Sequence, residues 1–558
     1  MSDQSLVAQG QTSYPLLQTR EWVTAVFIAI VAALLLLIPY YLGYTFSTNE
    51  HRFTGILMNP EDTQTYFAKM LQGYDGYWLY TIPFTAEPHN GAFVGGFYLV
   101  LGHLARLTGL SPMMMWHVVR FAADVILFVV TFYFISAFIT ESRTRWLAYL
   151  LAIFGSGLGW LLFLFNQPYW LDAFPVDFKQ PGSHLFFTAL TFPHVAVGTA
   201  VTLLSILWLK QAADGRWQYG VAAGFINIIL GIAYPFLIYL VGLTAVLYYL
   251  YLVWQQRRIL WREGIITAVA FLIPAPLYVY YAYVLQTNAV FRAWDVQAAT
   301  LSPPWPHYLL AYGIMLLMAG LYAWKRPSTF PRFAILWAWF LAVALLVYAP
   351  LNPQRRFVQG VQVPLAVLTA VFFTQLFIPW LERRRFWQAL LARPRYSADR
   401  MARFTAVLFL LFMSLSNLYL FASVSLSAVV QQPDPLFRPQ AEMDAAQWLR
   451  ENVPETAVIL SSYQTGSYIA GQAGQRVVLG HWAETVDYDT KAAQVEQFFA
   501  AATSDAWRQE FLRQNRVDYI WFSPREQDLG TFSLGEAGYL HTVYANDEVT
   551  IYRVGDNS

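Results

Sequence analysis

The sequence has no cysteine and few charged residues, and both absences narrow the classes of protein to consider. Without cysteine, the chain makes no disulfide, no thiolate nucleophile and no zinc–thiolate site. Charged residues make up 12% of the chain, against about 25% in ordinary soluble domains. The formal net charge of +1 argues against a nucleic acid as a partner. The composition therefore excludes thiol chemistry and disfavours a soluble fold.

Apolar residues dominate what is present. They make up 57% of the sequence, and its 42 Phe, 35 Tyr and 21 Trp fit a helical bundle with aromatic belts at both membrane interfaces. Since a bilayer core needs about 20 apolar residues per helix, we predict an α-helical polytopic membrane protein with about 11 transmembrane helices. The predicted spans are 22–42, 113–139, 146–166, 184–209, 217–233, 235–254, 264–285, 307–323, 333–349, 357–381 and 404–428.

Three segments decide how these spans are drawn. The run 217–254 is too long for one span, and Pro235 supplies a break. The segment 95–110 is short for a span and carries His103 and Arg106 on one helical face, so we interpret it as an interfacial helix. The first run, 22–42, lacks a small-residue cleavage site and is expected to be a retained span.

Basic residues orient the bundle. With eleven spans and a cytoplasmic N-terminal tail at 1–21, the inner segments hold 18 Lys and Arg residues and the outer loops hold seven. A twelfth span at 95–110 would place residues 383–385, three consecutive arginines, on the outer side, against the positive-inside rule. We therefore predict a multi-pass protein of the plasma (inner) membrane, with its N-terminus cytoplasmic and its C-terminus outside.

The chain changes in character after the proline-rich joint at 432–435. Apolar runs shorten, charge rises, and predicted strands alternate with predicted helices, which is typical of a small α/β domain. The predicted helices are 441–452, 490–501 and 505–514, and the predicted strands are 457–461, 476–480, 518–522, 540–544 and 549–554. We predict a transmembrane domain at 22–430, with a first outer loop at 43–112, and an extracytoplasmic α/β domain at 431–558.

The first outer loop contains an acidic stretch, Asn59-Pro60-Glu61-Asp62. The amphipathic segment 95–110 follows it, and the next span opens with Arg120 in His117-Val118-Val119-Arg120-Phe121-Ala122-Ala123. This layout resembles the GT-C superfamily of integral-membrane glycosyltransferases, which includes the protein O-mannosyltransferases and the lipid A aminoarabinose transferases. The likeness is sharpest between Asn59 and Ala123. The sequence lacks the His-Pro-Pro or Lys-Pro-Pro motif that some branches place before the second helix, and Glu87-Pro88-His89 stands near that place. The sugar and the acceptor therefore stay open.

The resemblance implies a reaction. GT-C enzymes take a sugar from a polyprenyl-phosphate carrier, here undecaprenyl or dolichyl phosphate, and pass it to a protein, lipid or glycan acceptor outside the cytoplasm. An inverting transfer needs a carboxylate that removes the acceptor's proton, and the resemblance assigns this role to Asp62, with Glu61 as the second choice. The same stretch also fits a helix start, with Asn59 as N-cap and Pro60 in the first turn.

Two arginines, Arg355 and Arg356, lie in a late outer loop, where positive charge is disfavoured. A guanidinium group can bind a phosphate in two places and can stabilise its negative charge as it leaves. The resemblance implies that these arginines bind the donor phosphate. Anchoring to lipid headgroups is the alternative.

Two predicted spans contain ionisable residues. Arg120 and Asp124 are four apart in the second span. Because charges inside a bilayer usually pair, we expect a structural pair, with substrate binding by Arg120 as the alternative. His194, in the fourth span, is expected to be a hydrogen-bonded core residue or a substrate-binding residue.

The outer loops hold further polar residues. Glu87 and His89 are expected to bind the sugar or the acceptor, or to be solvated. Some GT-C enzymes hold a divalent metal between acids of the first and second outer loops, and hard cations prefer oxygen ligands. Asp172 and Asp177 lie in the second outer loop, but their spacing is not specific. No cofactor is predicted with certainty, and Mg²⁺ or Mn²⁺ stays open.

Two other classes of protein remain. A transporter or lipid flippase would keep its essential charges at mid-membrane and would often show inverted repeats. Alternatively, the bundle anchors a non-catalytic outer domain that binds a ligand. The acidic first outer loop favours the glycosyltransferase.

Overall fold

The computed structural model describes residues 18–555, and most of the predicted tail at 1–21 lies outside this range. The chain divides into two compact units. Unit 1 runs up to Leu37 and includes Val119–Tyr278 and Thr300–Ser423. Unit 2 includes Ile38–Val118, Val279–Ala299 and the chain from Val424 onward.

Most of the described chain is helical, and much of it is apolar enough to cross a membrane. Seven helices have the required length and composition: Thr19–Thr45, Pro112–Phe138, Pro193–Ala213, Leu237–Gln256, Pro306–Lys325, Pro327–Leu346 and Gln354–Glu382. Two bent pairs bring the number within the described residues to nine: Trp261–Leu272 with Ala275–Thr287, and Ala398–Met413 with Leu415–Gln431. The predicted class, an α-helical polytopic membrane protein with a small C-terminal sheet region, is confirmed.

These nine correspond to all of the eleven predicted spans except two. Gln218–Ala233 is apolar but has only 16 residues. The predicted span 146–166 is a helix at Ser142–Phe154 and a short one at Trp160–Leu164. Gly157 lies in the break, where a Cβ atom would come within 2.6 Å of the Ala311 backbone. The close approach of two backbones therefore ends this helix early.

Proline interrupts the helices at the predicted position and at one further position. Tyr234 and Pro235 separate Gln218–Ala233 from Leu237–Gln256, as predicted. The predicted span 184–209 is also broken, because Leu185–Thr191 ends before a new helix begins at Pro193. His194 therefore lies in the first turn of a helix and not deep within one.

The remaining helices of unit 1 are short, and those of unit 2 surround a sheet. In unit 1 they are Val176–Lys179 and Arg385–Leu391. In unit 2 they are Pro60–Asp75, Gly96–Thr108, Ala289–Gln297, Gln440–Asn452, Tyr463–Gln472, Tyr488–Phe499, Asp505–Gln514 and Pro524–Gln527.

Among the described residues, unit 2 has seven strands: β1 Arg52–Phe53, β2 Phe437–Arg438, β3 Val458–Leu460, β4 Arg476–Val477, β5 Tyr519–Phe522, β6 Leu540–Ala545 and β7 Thr550–Val554. The last five form one sheet in the order β4-β3-β5-β7-β6. β3 is parallel to β4 and β5, and β7 is antiparallel to β5 and β6. These strands are the five predicted from the sequence, and β4 is shorter than predicted.

Side chains of β3 alternate between two apolar cores, as successive residues of a strand must. Ile459 belongs to the core that contains Trp521 and Phe84, a residue of the predicted first outer loop. Val458 and Leu460 belong to the core on the other side, which contains Phe498. The predicted first outer loop thus supplies part of the core on one face of the sheet.

Strand pairing also joins the first outer loop to the C-terminal segment. β1 and β2 are antiparallel, with Arg52 opposite Arg438. Packing therefore groups the predicted first outer loop with the predicted C-terminal domain in unit 2, a grouping that no boundary in the sequence indicated.

Candidate functional site

Asp62 lies in the first turn of a helix of unit 2 that begins at Pro60. Proline is suited to this place because its missing N–H would have no partner there. Asn59 precedes the helix, as predicted, but its backbone is left-handed at φ 44° and its side chain makes no capping hydrogen bond. The positive end of the helix dipole favours a carboxylate in this turn.

His481 contacts Asp62. Its Nε2 lies 3.2 Å from Asp62 Oδ1. The imidazole side chain is 5% exposed, whereas the Asp62 side chain is 45% exposed. The carboxylate is thus held from the protein side by a buried imidazole and remains accessible to solvent.

The tautomer of His481 follows from its second hydrogen bond. The backbone N–H of Ala483 donates to His481 Nδ1 at 3.3 Å. A nitrogen that accepts carries no proton, so a neutral ring has its proton on Nε2. The Nε2–H group therefore donates to the carboxylate of Asp62.

Glu61, the second predicted base, has different surroundings. It lines a small cavity together with Tyr463. Burial raises the pKa of Tyr463, and the charge of Glu61 raises it further. Glu61 therefore lies beside a phenol, whereas Asp62 is bonded to an imidazole.

A buried charged cluster lies further along the same helix. Lys69 Nζ is 2.9 Å from Glu484 Oε1 and donates to the carbonyl of Thr65 at 3.2 Å. The hydroxyl of Tyr80 donates to Glu484 Oε2 at 2.7 Å. Lys69 and Glu484 are both almost completely buried. Burial, together with the charge of Glu484, raises the pKa of Tyr80 well above its ordinary value.

Glu87 and His89 are engaged within unit 2. Lys491 Nζ lies 2.6 Å from Glu87 Oε1. Burial alone would raise the pKa of Glu87, but Lys491 and the hydroxyl of Thr85 together lower it. His89 Nδ1 lies 2.8 Å from the carbonyl of Glu87, and His89 Nε2 accepts from the N–H of Ile82 at 2.9 Å. Burial lowers the pKa of His89. Their roles in substrate binding stay predictions.

Arg355 and Arg356 lie in unit 1, in a short helical turn at Gln354–Val358. Both are half-buried. The guanidinium carbon of Arg356 lies 5.2 Å from the centre of the Phe236 ring, which holds one face of that group by a cation–π contact. Phosphate binding by the two arginines stays a prediction.

The ionisable residues predicted inside the spans are buried in unit 1. Arg120 and Asp124 are 0% and 1% exposed and lie one turn apart on the helix Pro112–Phe138. The rings of Phe192 and Tyr234 lie 5.6 Å and 5.3 Å from that of His194. The predicted Arg120–Asp124 pair and the substrate roles of Arg120 and His194 stay predictions.

The residues of the second outer loop do not fit a metal site. Asp177 Oδ2 accepts from the N–H of Gly159 at 2.9 Å and from the hydroxyl of Ser416 at 2.7 Å, so this oxygen is used to hold the chain. Asp172 lies in a separate turn, at φ 56°. Within residues 18–555, no three His, Asp or Glu side chains are grouped as metal ligands. The divalent metal is therefore not confirmed.

Sequence reasoning missed the partners of the acidic pair. His481 and Tyr463 come from the C-terminal segment, and the helix Tyr463–Gln472 was not predicted. Gly466 and Gly471 weaken its helical pattern, yet packing needs both. A Cβ atom at Gly466 would lie 2.0 Å from the carbonyl oxygen of Leu479. The sequence carried no signal that linked His481 to Asp62.

Comparisons with known proteins agree on the fold. No family model matches the sequence, and no curated protein matches it. Three solved structures resemble the chain over nearly all of its length. The apo oligosaccharyltransferase of Archaeoglobus fulgidus has a TM-score of 0.53 and 13% identity, covering 97% of this chain and 75% of that one.

The other two structures are ArnT and an arabinofuranosyltransferase. ArnT from Cupriavidus metallidurans, bound to undecaprenyl phosphate, has a TM-score of 0.54 and 12% identity, covering 96% of this chain and 98% of that one. The arabinofuranosyltransferase AftD from Mycobacteria has a TM-score of 0.54 and 12% identity, covering 98% of this chain and 41% of that one. The chain therefore shares the fold of these three structures, which agrees with the predicted resemblance to the GT-C superfamily.

Proposed function

We propose that the protein is an inverting membrane glycosyltransferase. It moves a sugar from a polyprenyl-phosphate donor to a protein, lipid or glycan acceptor at the extracytoplasmic face. The supporting observation is the setting of Asp62. In a chain with the GT-C fold, this solvent-accessible carboxylate stands at a helix start and is bonded to a buried imidazole.

The proposed sugar transfer is a single displacement at the anomeric carbon. Asp62 takes the proton of the acceptor hydroxyl as that oxygen forms its bond to the anomeric carbon. The bond between the anomeric carbon and the phosphate oxygen breaks, and the polyprenyl phosphate leaves with the electron pair. Arg355 and Arg356 are the proposed ligands of this phosphate, because guanidinium groups stabilise charge that develops on its oxygens.

Asp62 is preferred to Glu61 as the base because of their surroundings. A buried imidazole is bonded to the Asp62 carboxylate, whereas Glu61 lies beside the half-buried Tyr463, whose pKa its charge raises. Glu61 is thus proposed to line the wall of the site near Tyr463. Glu87 and His89 are proposed to shape the same outer region through their contacts with Lys491 and the backbone.

The test is turnover of defined donors by the full chain in lipid nanodiscs. Polyprenyl phosphates carrying different sugars would be supplied with a mixture of acceptors, and release of polyprenyl phosphate would be measured. Loss of a general base typically costs about 10²–10⁴-fold in rate, so we expect Asp62→Asn to lower kcat by that factor. Glu61→Gln should lower kcat by less than about tenfold, since Gln keeps the size of the side chain beside Tyr463 and the base is still present.

Asp505→Asn is the matched control. Asp505 also lies in the first turn of a helix, is 59% exposed, and is bonded to one basic side chain, that of Arg508 at 2.9 Å. It should keep full activity. Equal rates for the wild type and for Asp62→Asn would contradict the assignment of the base. Movement of a lipid-linked sugar across vesicle membranes without chemical turnover would support a transporter or flippase instead.

A further inference from the structure

The turn that carries His481 is held firmly. The N–H groups of Glu484 and Thr485 both donate to the carbonyl of His481 at 2.9 Å. The Thr485 hydroxyl donates to the carbonyl of Phe84 at 2.7 Å and accepts the N–H of Gly480 at 3.0 Å. The amide of Gln297 donates to the Thr485 carbonyl at 2.9 Å. The turn is thus bonded to itself, to the first outer loop and to the helix Ala289–Gln297.

The same turn is tied to the helix that carries Asp62. Lys69 lies seven residues after Asp62, so the two side chains are two turns apart on the same face of that helix. Lys69 binds Glu484 at 2.9 Å, and Glu484 is three residues from His481. The helix therefore holds the turn at two points, one through a buried ion pair and one through the contact between Asp62 and His481.

The contact between His481 and Asp62 restrains the carboxylate. The imidazole of His481 is almost completely buried and in its neutral tautomer presents a single N–H group, which is aimed at a carboxylate that is 45% exposed. A contact with a carboxylate this exposed adds only modest stability. It does limit the rotation of the carboxylate, and the rate of a reaction depends strongly on the orientation of the reacting group.

We propose that His481 is a positioning residue for the reaction: its Nε2–H group orients the Asp62 carboxylate toward the acceptor hydroxyl. The inference rests on the proposed function of Asp62. It makes the C-terminal segment part of the reacting site, because it supplies the residue that holds the base. Lys69, Glu484 and Gln297 act one step further away, by fixing the turn.

The test uses two substitutions of nearly equal size. His481→Gln keeps an N–H donor at about the place of Nε2, whereas His481→Met fills the same space without one. Misplacement of a reacting group by about 1 Å can cost about 10²-fold in rate. We expect His481→Met to lower kcat by about 10–100-fold with donor KM unchanged, and His481→Gln to recover most of it. His541→Phe, at an exposed position of β6, is the control for removal of an imidazole.

A double-mutant cycle separates positioning from structure. If His481 acts through Asp62, His481→Met should have no further effect on the single-turnover rate of Asp62→Asn. An equal loss of rate in both backgrounds, or an equal loss in His481→Met and His481→Gln, would overturn the proposal. If His481→Met fails to fold, His481→Phe replaces it, since it too lacks the donor.

The proposed function and this inference fail in different ways. A wild-type protein that turns over no polyprenyl-phosphate sugar would reject both. Loss of turnover in Asp62→Asn together with full kcat in His481→Met would reject the inference alone and would leave Asp62 as the base.

Discussion

In unit 1, several buried polar side chains bind backbone groups where helices break, whereas in unit 2 several buried charged side chains bind one another. Gln362 accepts the N–H of Leu185 at 2.8 Å and donates to the carbonyls of Leu151 and Gly155 at 3.2 and 2.6 Å. Lys69, in contrast, is paired with Glu484. The first pattern supports an apolar bundle, because broken helices leave backbone groups that lipid does not satisfy.

The second pattern supports a site. Paired side chains can hold a third in a defined place, as the turn 480–485 holds the imidazole next to Asp62. The Asp62 carboxylate is the member of that contact that remains 45% exposed. Unit 1 thus contains the side chains that support broken helices, and unit 2 contains the carboxylate proposed to transfer the proton.

Removal of Lys69 should have the largest effect on stability. Lys69→Met leaves Glu484 buried without its ion-pair partner, which typically costs about 3–5 kcal/mol. We expect a markedly lower temperature of unfolding, measured by tryptophan fluorescence in detergent. Arg513→Met, which breaks an ion pair whose side chains are 74% and 46% exposed, is the control and should change little. Equal shifts for both variants would mean that the buried pair is of no special importance.

Removal of Gln362 tests unit 1. Gln362→Leu deprives the N–H of Leu185 of its partner, at a cost of about 1–3 kcal/mol. The carbonyls of Leu151 and Gly155 lose one of two partners, because they still accept from the N–H of Gly155 and from the amide of Asn417. The unfolding temperature should fall, while kcat of the folded fraction should stay near that of the wild type. A large loss of kcat at unchanged stability would break the comparison, since it would place chemistry in the bundle. Gln388→Leu, at an exposed position, serves as control.

The arginines of unit 1 test the comparison at its weakest place. If Arg355 and Arg356 bind the donor phosphate, substitution of either by Gln should raise the donor KM by about 10–100-fold, because one charged hydrogen bond contributes about 1.5–3 kcal/mol. Substitution of either arginine by Lys should restore little of the donor affinity, because an ammonium group does not reproduce the two parallel hydrogen bonds of a guanidinium group. Arg553→Gln, at an exposed position of β7, is the control. An unchanged donor KM in all variants would assign the two arginines to lipid headgroups.

The smallest effect should be that of Glu87→Gln on the pH dependence of thermal stability. Lys491 and Thr85 hold the pKa of Glu87 below its ordinary value of 4.5, despite the opposing effect of burial. A carboxyl whose pKa is lower in the folded protein stabilises the fold at pH values above its unfolded-state pKa. This stability is lost as the pH falls through the folded-state pKa. Between about pH 5 and pH 3, Glu87→Gln should therefore lose less thermal stability than the wild type. The difference should be modest because Glu87 is 38% exposed.

Local patterns predicted much of the fold. Long runs of apolar residues indicated nine of the spans, and the shorter apolar runs of the C-terminal segment indicated the five strands of the sheet. Asp62 and the helix start at Pro60 were also visible, since the features that mark them lie within four residues. The break at Gly157 was missed because it depends on what packs beside the chain. The break at Pro193 was missed although the proline that causes it is visible in the sequence.

The partners of Asp62 could not be predicted in the same way. His481 is 419 positions away, and Glu484 is 415 positions from Lys69. Periodicity reports on neighbours along the chain and carries no information about such distant pairs. The helix Tyr463–Gln472 was hidden for a related reason, because its glycines serve packing against Leu479 and Gln64.

The sequence by itself determined that this chain enters a membrane, where its helices and strands lie, and which carboxylates stand at the start of the first outer helix. These properties follow from local composition and spacing. Tertiary structure alone decided that the first outer loop and the C-terminal segment form one unit, and that a buried imidazole meets the Asp62 carboxylate. Such contacts depend on how strands pair and how cores close over hundreds of residues.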